Sequence, residues 1–278
     1  MNKKTIAFSL LAMLTVSLFT AYAAQKDETT QTGSRTYADY IDAGMRITAQ
    51  AGDVYPGVAL DFFKAKEVLE YSTVPDMLEA LQTGRVDAAL LSDGYVKRLI
   101  HDGEYPDFEY LWVPKDVYVN EAGPVFHTTE LRDKYNEWFS GIAADGTWQK
   151  IVDRWIGVPL PEIKDIPQFE FTGENGILRV VDTGNYPPLI YFDENGEPAG
   201  FDVEIVSLFA RHMGMKPEFT MMPYEETFEF VRSGQADMSA CTYTITDERE
   251  EYRIFGYPSV ITQAVLVVPK KGRIINGK

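Results

Sequence analysis

Two stretches of the chain share one order of apolar, glycine and acidic positions. Residues 81–94 read LQTGRVDAALLSDG, and residues 231–244 read VRSGQADMSACTYT. In each stretch a helical pattern ends at a glycine, which can adopt the left-handed conformation that stops a helix. Two residues separate this glycine from an aspartate, and then comes a run of small and apolar residues that is typical of a strand buried on both faces. The pattern predicts a helix and then a buried strand, twice.

The distance between the two copies indicates two α/β units. The glycines, Gly84 and Gly234, are 234 − 84 = 150 positions apart, which is too far for a solenoid repeat. Either copy alone would be ordinary in any α/β protein. Strands and helices alternate around both copies, and this alternation predicts parallel sheets covered on both faces.

The rest of the chain divides at a proline-containing segment. Residues 158–176, VPLPEIKDIPQFEFTGENG, show little periodicity and predict a linker or an extended strap. The α/β rhythm restarts after it, with a hairpin whose turn is Asn195-Gly196. Outside the two copies, the predicted strands are at 45–49, 67–71, 110–114, 177–183, 218–222 and 260–269, and the predicted helices are at 131–146, 147–157 and 201–214.

The first residues are typical of a secretory signal. Lys3 and Lys4 precede an apolar run over residues 6–19, and Ala-Tyr-Ala follows. We expect cleavage near residue 24, a disordered polar leader over residues 25–35, and export to the periplasm. No later segment of the sequence is apolar for long enough to span a bilayer.

Charge and cysteine content narrow the class of protein. The formal net charge is −16, which argues against nucleic acid or an anionic membrane surface as a partner. Cys241 is the single cysteine, so stability must come from a core and not from disulfides. The sequence has no metal-binding cluster of His and Cys and no phosphate-binding glycine loop, so no cofactor is expected.

The residues after the second copy could bind a carboxylate. They read TYTITDER and carry the hydroxyls of Thr242, Thr244 and Thr246 and then Arg249. Open α/β sheets bind ligands at the carboxyl ends of their strands, and arginine can donate two parallel hydrogen bonds to a carboxylate. The alternative is structural, with Thr246 capping a helix and Arg249 paired with a neighbouring glutamate on the surface.

Several pieces of residues 177–271 together resemble one family. The pieces are LRVVDTGNYPPL, ENGEPAGFDVEI, SGQADMSACTYTITDER and VLVVPKKG. They resemble the amino-acid-binding type (family 3) of the bacterial extracellular solute-binding proteins of ABC importers. The resemblance implies an α/β fold of the two-lobed type 2 periplasmic-binding (Venus-flytrap) kind, a monomer, and an ABC permease as partner. It also implies that Thr244 and Arg249 hold a ligand's α-carboxylate between Tyr186 and Tyr224. Thr242 and Asp182 of the same segment, and Gln50 from the earlier part of the chain, are further expected ligand-binding residues.

The order of the pieces departs from the family. Family members begin with lobe one, continue into a lobe two that starts like MRITAQAG, and end in helices like ADGTWQKIVDRWIG. In this chain the lobe-two segment and the closing helices come first, and the beginning of lobe one follows them. We therefore expect a circular permutation, although a piece of a tandem receptor is the competing interpretation. The expected units are a signal at 1–24, a leader at 25–35, lobe two at 36–117, return crossing and closing helices at 118–157, a linker at 158–176, the rest of lobe one at 177–270, and a tail at 271–278.

Individual positions also depart from the family pattern. Ser92 stands where lobe two normally supplies a carboxylate for the ligand's α-ammonium, and Asp93 is one residue along. Asp53 stands where a threonine is usual; it could face an amine-bearing ligand or cap a helix. Thr242 replaces a residue that is often glycine. The carboxylate half of ligand recognition is therefore better supported than the ammonium half.

These features favour an exported solute-binding protein that captures a small carboxylate-bearing ligand, an amino acid or close analogue. A sensing protein without a transport role is a second candidate. A third is an enzyme, since some family relatives are dehydratases of cyclic carboxylates. An enzyme would need an acid or base such as Asp53, Asp93 or Asp182 in the cleft. We expect binding without catalysis.

Overall fold

The computed structural model describes residues 35–115, 117–156, 158 and 160–270. The predicted signal (1–24), nearly all of the leader and the tail (271–278) lie outside these residues. The strands are β1 Arg46–Gln50, β2 Glu67–Tyr71, β3 Ala88–Ser92, β4 Phe108–Trp112, β5 Val119–Phe126, β6 Ile177–Asp182, β7 Tyr191–Phe192, β8 Pro198–Ala199, β9 Lys216–Met221, β10 Met238–Thr244, β11 Ile254–Phe255 and β12 Val260–Pro269. The α-helices are α1 Tyr55–Asp61, α2 Val74–Gln82, α3 Asp93–Asp102, α4 Thr129–Ala144, α5 Thr147–Trp155, α6 Phe201–His212, α7 Tyr224–Arg232 and α8 Asp247–Glu250.

The strands form two lobes joined through β12 and β5. In the unit that we call lobe two, β2, β1 and β3 pair in parallel, and β12 joins them through residues 264–269. In the unit that we call lobe one, β9, β6 and β10 pair in parallel and β5 follows β10. Residues 260–263 of β12 pair with β5. The fold is therefore α/β and two-lobed, and two neighbouring strands cross between the lobes.

The expectation of parallel sheets is correct only for the central strands. β12 runs antiparallel to β3 and β4, and β5 runs antiparallel to β10. These two strands arrive from the opposite lobe and therefore enter the sheet from its other end. Each sheet is mixed for this reason.

The repeated glycine and aspartate have matching structural roles in the two lobes. Gly84 and Gly234 both have positive φ, +74° and +77°, directly after a helix. Asp87 accepts hydrogen bonds from the backbone N–H and the guanidinium of Arg46 at the start of β1. Asp237 makes the same contacts with Arg179 near the start of β6. The two copies share their order because the same arginine–aspartate contact occurs once in each lobe. It joins β1 to the start of β3 in lobe two, and β6 to the start of β10 in lobe one.

Each lobe has its own apolar core. β3 is buried along its whole length, and β1, β3 and β12 contribute Ile47, Leu90 and Leu266 to one core cluster of lobe two. Lobe one is centred on aromatic side chains of α4, α5 and α6, among them Tyr135, Trp155 and Phe209. These helices pack together although α5 and α6 are far apart in the chain. Residues 158–176 and then strands β6 to β8 lie between them.

A buried carboxylate fastens α5 to α6. Glu204 is 5% exposed and accepts a hydrogen bond from Trp155 Nε1 at 2.7 Å and an ion-pair contact from Arg154. The strap at residues 158–176, which leads from α5 to β6, also touches α6, since Arg211 lies 5.4 Å from the centre of the Phe169 ring. α4 and α5 therefore belong to lobe one in space. In the described part of the chain, no helix has the length and apolar character needed to cross a membrane.

Candidate functional site

A cavity of about 60 Å³ lies between the lobes where β1, β3, β6 and β10 end. That volume is several times the 10–15 Å³ that one water molecule needs. Lobe two, lobe one and the crossing strands all contribute to it. Its lining residues are Gln50, Asp53, Tyr55, Ser92, Asn120, Asp182, Thr183, Tyr186, Leu189, Ile190, Asp202, Tyr224, Thr244 and Thr262. The carboxyl ends of parallel strands from both sheets thus face one enclosed space.

Arg249 lies beside this cavity and reaches across the lobes. It is 7% exposed, Nη1 donates to the Thr244 carbonyl at 3.0 Å, and Nη2 donates to the Gly52 carbonyl of lobe two at 2.8 Å. Thr246 caps α8 by accepting from the Arg249 N–H, as the structural alternative expected. The other half of that alternative, a surface pair with a glutamate, is wrong because the guanidinium is buried against carbonyls at the lobe interface.

Two further contacts hold the lobes together around the cavity. The hydroxyl of Tyr186 in lobe one lies 2.6 Å from the Ser92 hydroxyl of lobe two. At the rim, Ser72 donates to Glu225 at 2.5 Å. The Tyr186 ring also lies 5.1 Å from that of Tyr95, measured between ring centres. The cleft in this structure is therefore closed, with Tyr186 as its principal wall.

Gly52 is where the two lobes approach most tightly, and this gives a prediction. A Cβ at this position would lie 3.2 Å from Glu225 Cα, and the residue has φ +78°. Gly52→Ala should therefore keep the lobes from closing fully and weaken ligand binding about tenfold, with a smaller ligand-induced decrease in the radius of gyration. Titration calorimetry and small-angle scattering measure both. Gly57→Ala is the control, since a Cβ there meets nothing within 4 Å; equal behaviour of the two variants would contradict the closed contact.

Asp53 faces Arg249 from lobe two. Its Oδ1 accepts from the Val54 N–H at 2.6 Å, and α1 begins only at Tyr55 with Val54 as the capping residue. The helix-cap alternative for Asp53 is therefore wrong. Burial raises the pKa of this carboxyl, and the positive charge of Arg249 opposes the rise. Burial likewise raises the pKa of the Tyr55 and Tyr186 hydroxyls, and that of Tyr118 to about 12, so these groups stay protonated as hydrogen-bond donors.

Two buried carboxyl groups share the lobe-one wall of the cavity. Asp182 ends β6 and is 1% exposed, and Asp202 lies in the first turn of α6 and is 3% exposed. Burial raises the pKa of Asp202 well above its usual range, and the charge of Asp182 raises it further. Two adjacent buried carboxyl groups do not both ionise readily, so this pair retains a proton more easily than an isolated aspartate does.

The Asp202 carboxyl gives a prediction about pH. Because its pKa is higher in the folded than in the unfolded chain, it favours folding below the unfolded pKa, and this contribution is lost as the pH rises through the folded pKa. Asp182 at the end of β6 and Tyr135 of α4 are the titratable groups that act on it. Asp202→Asn should raise the melting temperature at about pH 8 by about 2–4 °C or more, and by less at about pH 4. Asp153→Asn, at an exposed position, should shift neither; an equal shift at both pH values for Asp202→Asn would contradict the account.

Comparison with known proteins places part of the chain in a family. Residues 178–276 match the model of bacterial extracellular solute-binding proteins, family 3. A probable histidine-binding protein of Neisseria gonorrhoeae is 30% identical over 98 residues, which are 35% of this chain and 37% of that protein. A cyclohexadienyl dehydratase of Pseudomonas aeruginosa is 31% identical over 85 residues, 31% of this chain and 32% of that protein. A solved structure of an ancestral arginine-binding protein bound to arginine is 35% identical, covering 28% of this chain and 34% of that chain, with a TM-score of 0.27.

The match to family 3 of the bacterial extracellular solute-binding proteins is confined to residues 178–276. The chain spans about a third of the length of the curated relatives it matches. The matched segment begins with β6 and includes Asp182, Tyr186, Tyr224, Thr244 and Arg249.

The structure brings most of the expected binding residues together. Seven of them line the cavity: Gln50, Asp53, Ser92, Asp182, Tyr186, Tyr224 and Thr244. Arg249 adjoins the cavity through the Thr244 carbonyl. Asp93 does not line it, because its oxygens accept from the Gln263 N–H and from Lys97. Thr242 lies in β10, and its side chain is outside the described atoms.

The sequence reasoning missed several polar lining residues, of which Asp202 and Asn120 matter most for the chemistry; the others are Tyr55, Thr183 and Thr262. Asp202 sits in the first helical turn, where an aspartate is expected on helix-dipole grounds alone. Asn120 lies at the start of β5, a strand that showed no family motif. Asn120 Nδ2 donates to the Tyr55 hydroxyl at 2.9 Å. The feature that marks Asn120 is the burial of a polar side chain in a strand that crosses between the lobes. That burial is visible only in the folded structure, so no signal for it was present in the sequence.

Proposed function

We propose that this protein is an exported solute-binding protein that captures an amino acid, or a close carboxylate-bearing analogue, between its two lobes. The observation that supports it is a buried arginine at the interface of the lobes, hydrogen-bonded to the Thr244 carbonyl and beside a cavity walled by Tyr186 and Tyr224. A ligand carboxylate there would replace the Gly52 carbonyl as acceptor for Arg249. Such a charge-assisted bidentate contact is among the stronger hydrogen-bonded pairs in proteins.

Export and delivery to a transporter are parts of the same proposal. The family match and the secretory pattern of residues 1–24 support a periplasmic location, with an ABC permease as the partner. The acidic composition argues against nucleic acid. A binding protein of this kind acts by closing, and closure is favoured to the extent that ligand binds the closed form better than the open form.

A screen of the twenty common amino acids by thermal shift tests the proposal. At least one should raise the melting temperature, and the same ligand should reduce the radius of gyration in solution. A ligand at a hundred times its dissociation constant stabilises a protein by about 2.7 kcal/mol, which is readily detected. If no amino acid stabilises the chain, the proposal is wrong.

The order of the lobes is proposed to be a circular permutation. Three features support it: β5 crosses from lobe two to lobe one, α5 packs on α6, and residues 158–176 span the distance between α5 and β6. A permuted receptor closes upon itself and needs only a linker between the former ends. Residues 36–270 should therefore be monomeric and bind one ligand per chain. If ligand binds only to a dimer that exchanges lobes, the tandem interpretation is favoured instead.

An enzyme is the second candidate, supported by the similarity to a cyclohexadienyl dehydratase. The cavity carries carboxyl groups that could act as acid or base, Asp53, Asp182 and Asp202. We propose binding without turnover as the function. Incubation of the protein with a cyclohexadienyl carboxylate should leave the compound unchanged, and conversion that Asp182→Asn abolishes would favour the enzyme.

A further inference from the structure

The lining of the cavity contains several carboxyl groups and no basic side chain among the described residues. Asp53, Asp182 and Asp202 are among the lining residues, and within the described part of the chain no lysine, arginine or histidine is. Arg249 lies beside the cavity, and its charge opposes the rise that burial causes in the pKa of Asp53. The carboxyl groups of Asp182 and Asp202 both lie on the lobe-one wall, and the charge of Asp182 acts on Asp202.

An independent observation comes from the crossing strand β5. Asn120 is 2% exposed and lines the same cavity. Its amide nitrogen donates a hydrogen bond to the Tyr55 hydroxyl. Its Oδ1 is buried with no hydrogen-bond partner among the described residues. A buried acceptor of this kind is costly unless a donor reaches it. The cavity therefore lacks a donor, and a ligand bound in it can supply one.

We propose that the ligand is an amino acid whose side chain is a cation, an ammonium or a guanidinium, held by the carboxyl groups of Asp182 and Asp202 and by Asn120 Oδ1. This inference rests on the proposed function and names its substrate class. Its basis is the position of Asp182, Asp202 and Asn120 in the wall of this cavity.

The charges of such a ligand match those of the site. Its α-carboxylate lies on Arg249, its α-ammonium faces Asp53, and its side-chain cation lies on the pair of carboxyl groups. A cation between Asp182 and Asp202 removes their mutual repulsion, so the proton that the pair retains is released when the ligand binds. A metal ion is a poorer occupant, since the described residues contain no group of three His, Cys, Asp or Glu side chains placed to hold one.

Matched ligand pairs test the inference on the unaltered chain. Citrulline has the shape of arginine without its charge, and norleucine has the four-carbon side chain of lysine without the ammonium group. Titration calorimetry at about pH 7.5 should show one of the cations binding about tenfold to a hundredfold more tightly than its neutral counterpart, the range of a hydrogen bond to a charged group. Equal affinities within both pairs would overturn the inference.

A variant locates the preference within the cavity. Asp182→Asn keeps the size of the side chain and removes its charge, so it should reduce the preference for the cation over its neutral counterpart about tenfold. Asp76→Asn, on the exposed start of α2, should change neither. If Asp182→Asn leaves the preference intact, the cation is held elsewhere and the inference fails.

The outcomes separate this inference from the proposed function. Binding of neutral amino acids that depends on Arg249 but shows no preference for cations would leave the proposed function standing and overturn the inference. Absence of binding by every amino acid would overturn both.

Discussion

Replacing Arg249 by glutamine should weaken ligand binding about tenfold to a hundredfold. The guanidinium is the buried cation at the lobe interface, and its contact with a carboxylate contributes about 1.5–3 kcal/mol when water is excluded. The same change removes the hydrogen bond from Nη2 to the Gly52 carbonyl, a link between the lobes. The loss should therefore appear both as a weaker affinity by calorimetry and as a less complete closure by small-angle scattering.

Two further variants decide what the arginine contributes. Arg249→Lys keeps the charge but cannot present two parallel donors, so its affinity should fall between those of the glutamine variant and the unaltered chain. Arg232→Gln removes an arginine that pairs with Glu229 on an exposed face, and it should bind as the unaltered chain does. If the lysine variant binds as tightly as the unaltered chain, charge alone explains the site and bidentate recognition is wrong.

Glu204→Ala should lower the free energy of unfolding by about 2–4 kcal/mol, the second large effect. The side chain is buried between α5 and α6, and it accepts from Trp155 and pairs with Arg154. Removing one partner of a buried network leaves the other groups unsatisfied, which is more destabilising than the net value of the contact. Because α5 and α6 are separated in the chain by residues 158–176 and strands β6 to β8, this contact fixes the closing helices to lobe one.

Chemical denaturation measures the effect of Glu204→Ala on the unfolding free energy. Glu229→Ala removes a carboxylate from an exposed ion pair and should change that free energy by less than about 1 kcal/mol. Glu204→Gln can still accept from Trp155 Nε1 and should fall between the two. Equal small losses for all three variants would show that α5 is held to lobe one by apolar packing alone.

The sequence was sufficient to predict the elements with a strong local signal. The glycine stops at Gly84 and Gly234, the hairpin around Asn195-Gly196 and the long strand β12 all follow from turn chemistry and apolar runs. The α/β two-lobed fold followed from the family motifs. The antiparallel insertion of β5 and β12 did not, because strand direction depends on which lobe a strand comes from and not on its own residues.

The candidate site was only partly predictable for a similar reason. Thr244, Tyr186 and Tyr224 were found because they sit in family motifs. Asp202 and Asn120 were missed because a residue's chemistry depends on its neighbours in space: an aspartate at a helix start is ordinary until Asp182 is placed beside it. Asp93 was a candidate on its spacing, yet its carboxylate binds the backbone of β12 at Gln263.

A crystal structure of the chain with its tightest amino acid ligand tests the central claim most directly. We expect the ligand between the lobes, with its α-carboxylate within hydrogen-bond distance of the Arg249 guanidinium and the Thr244 hydroxyl. A ligand whose carboxylate points away from Arg249, or one bound on the outer surface of either lobe, would contradict it.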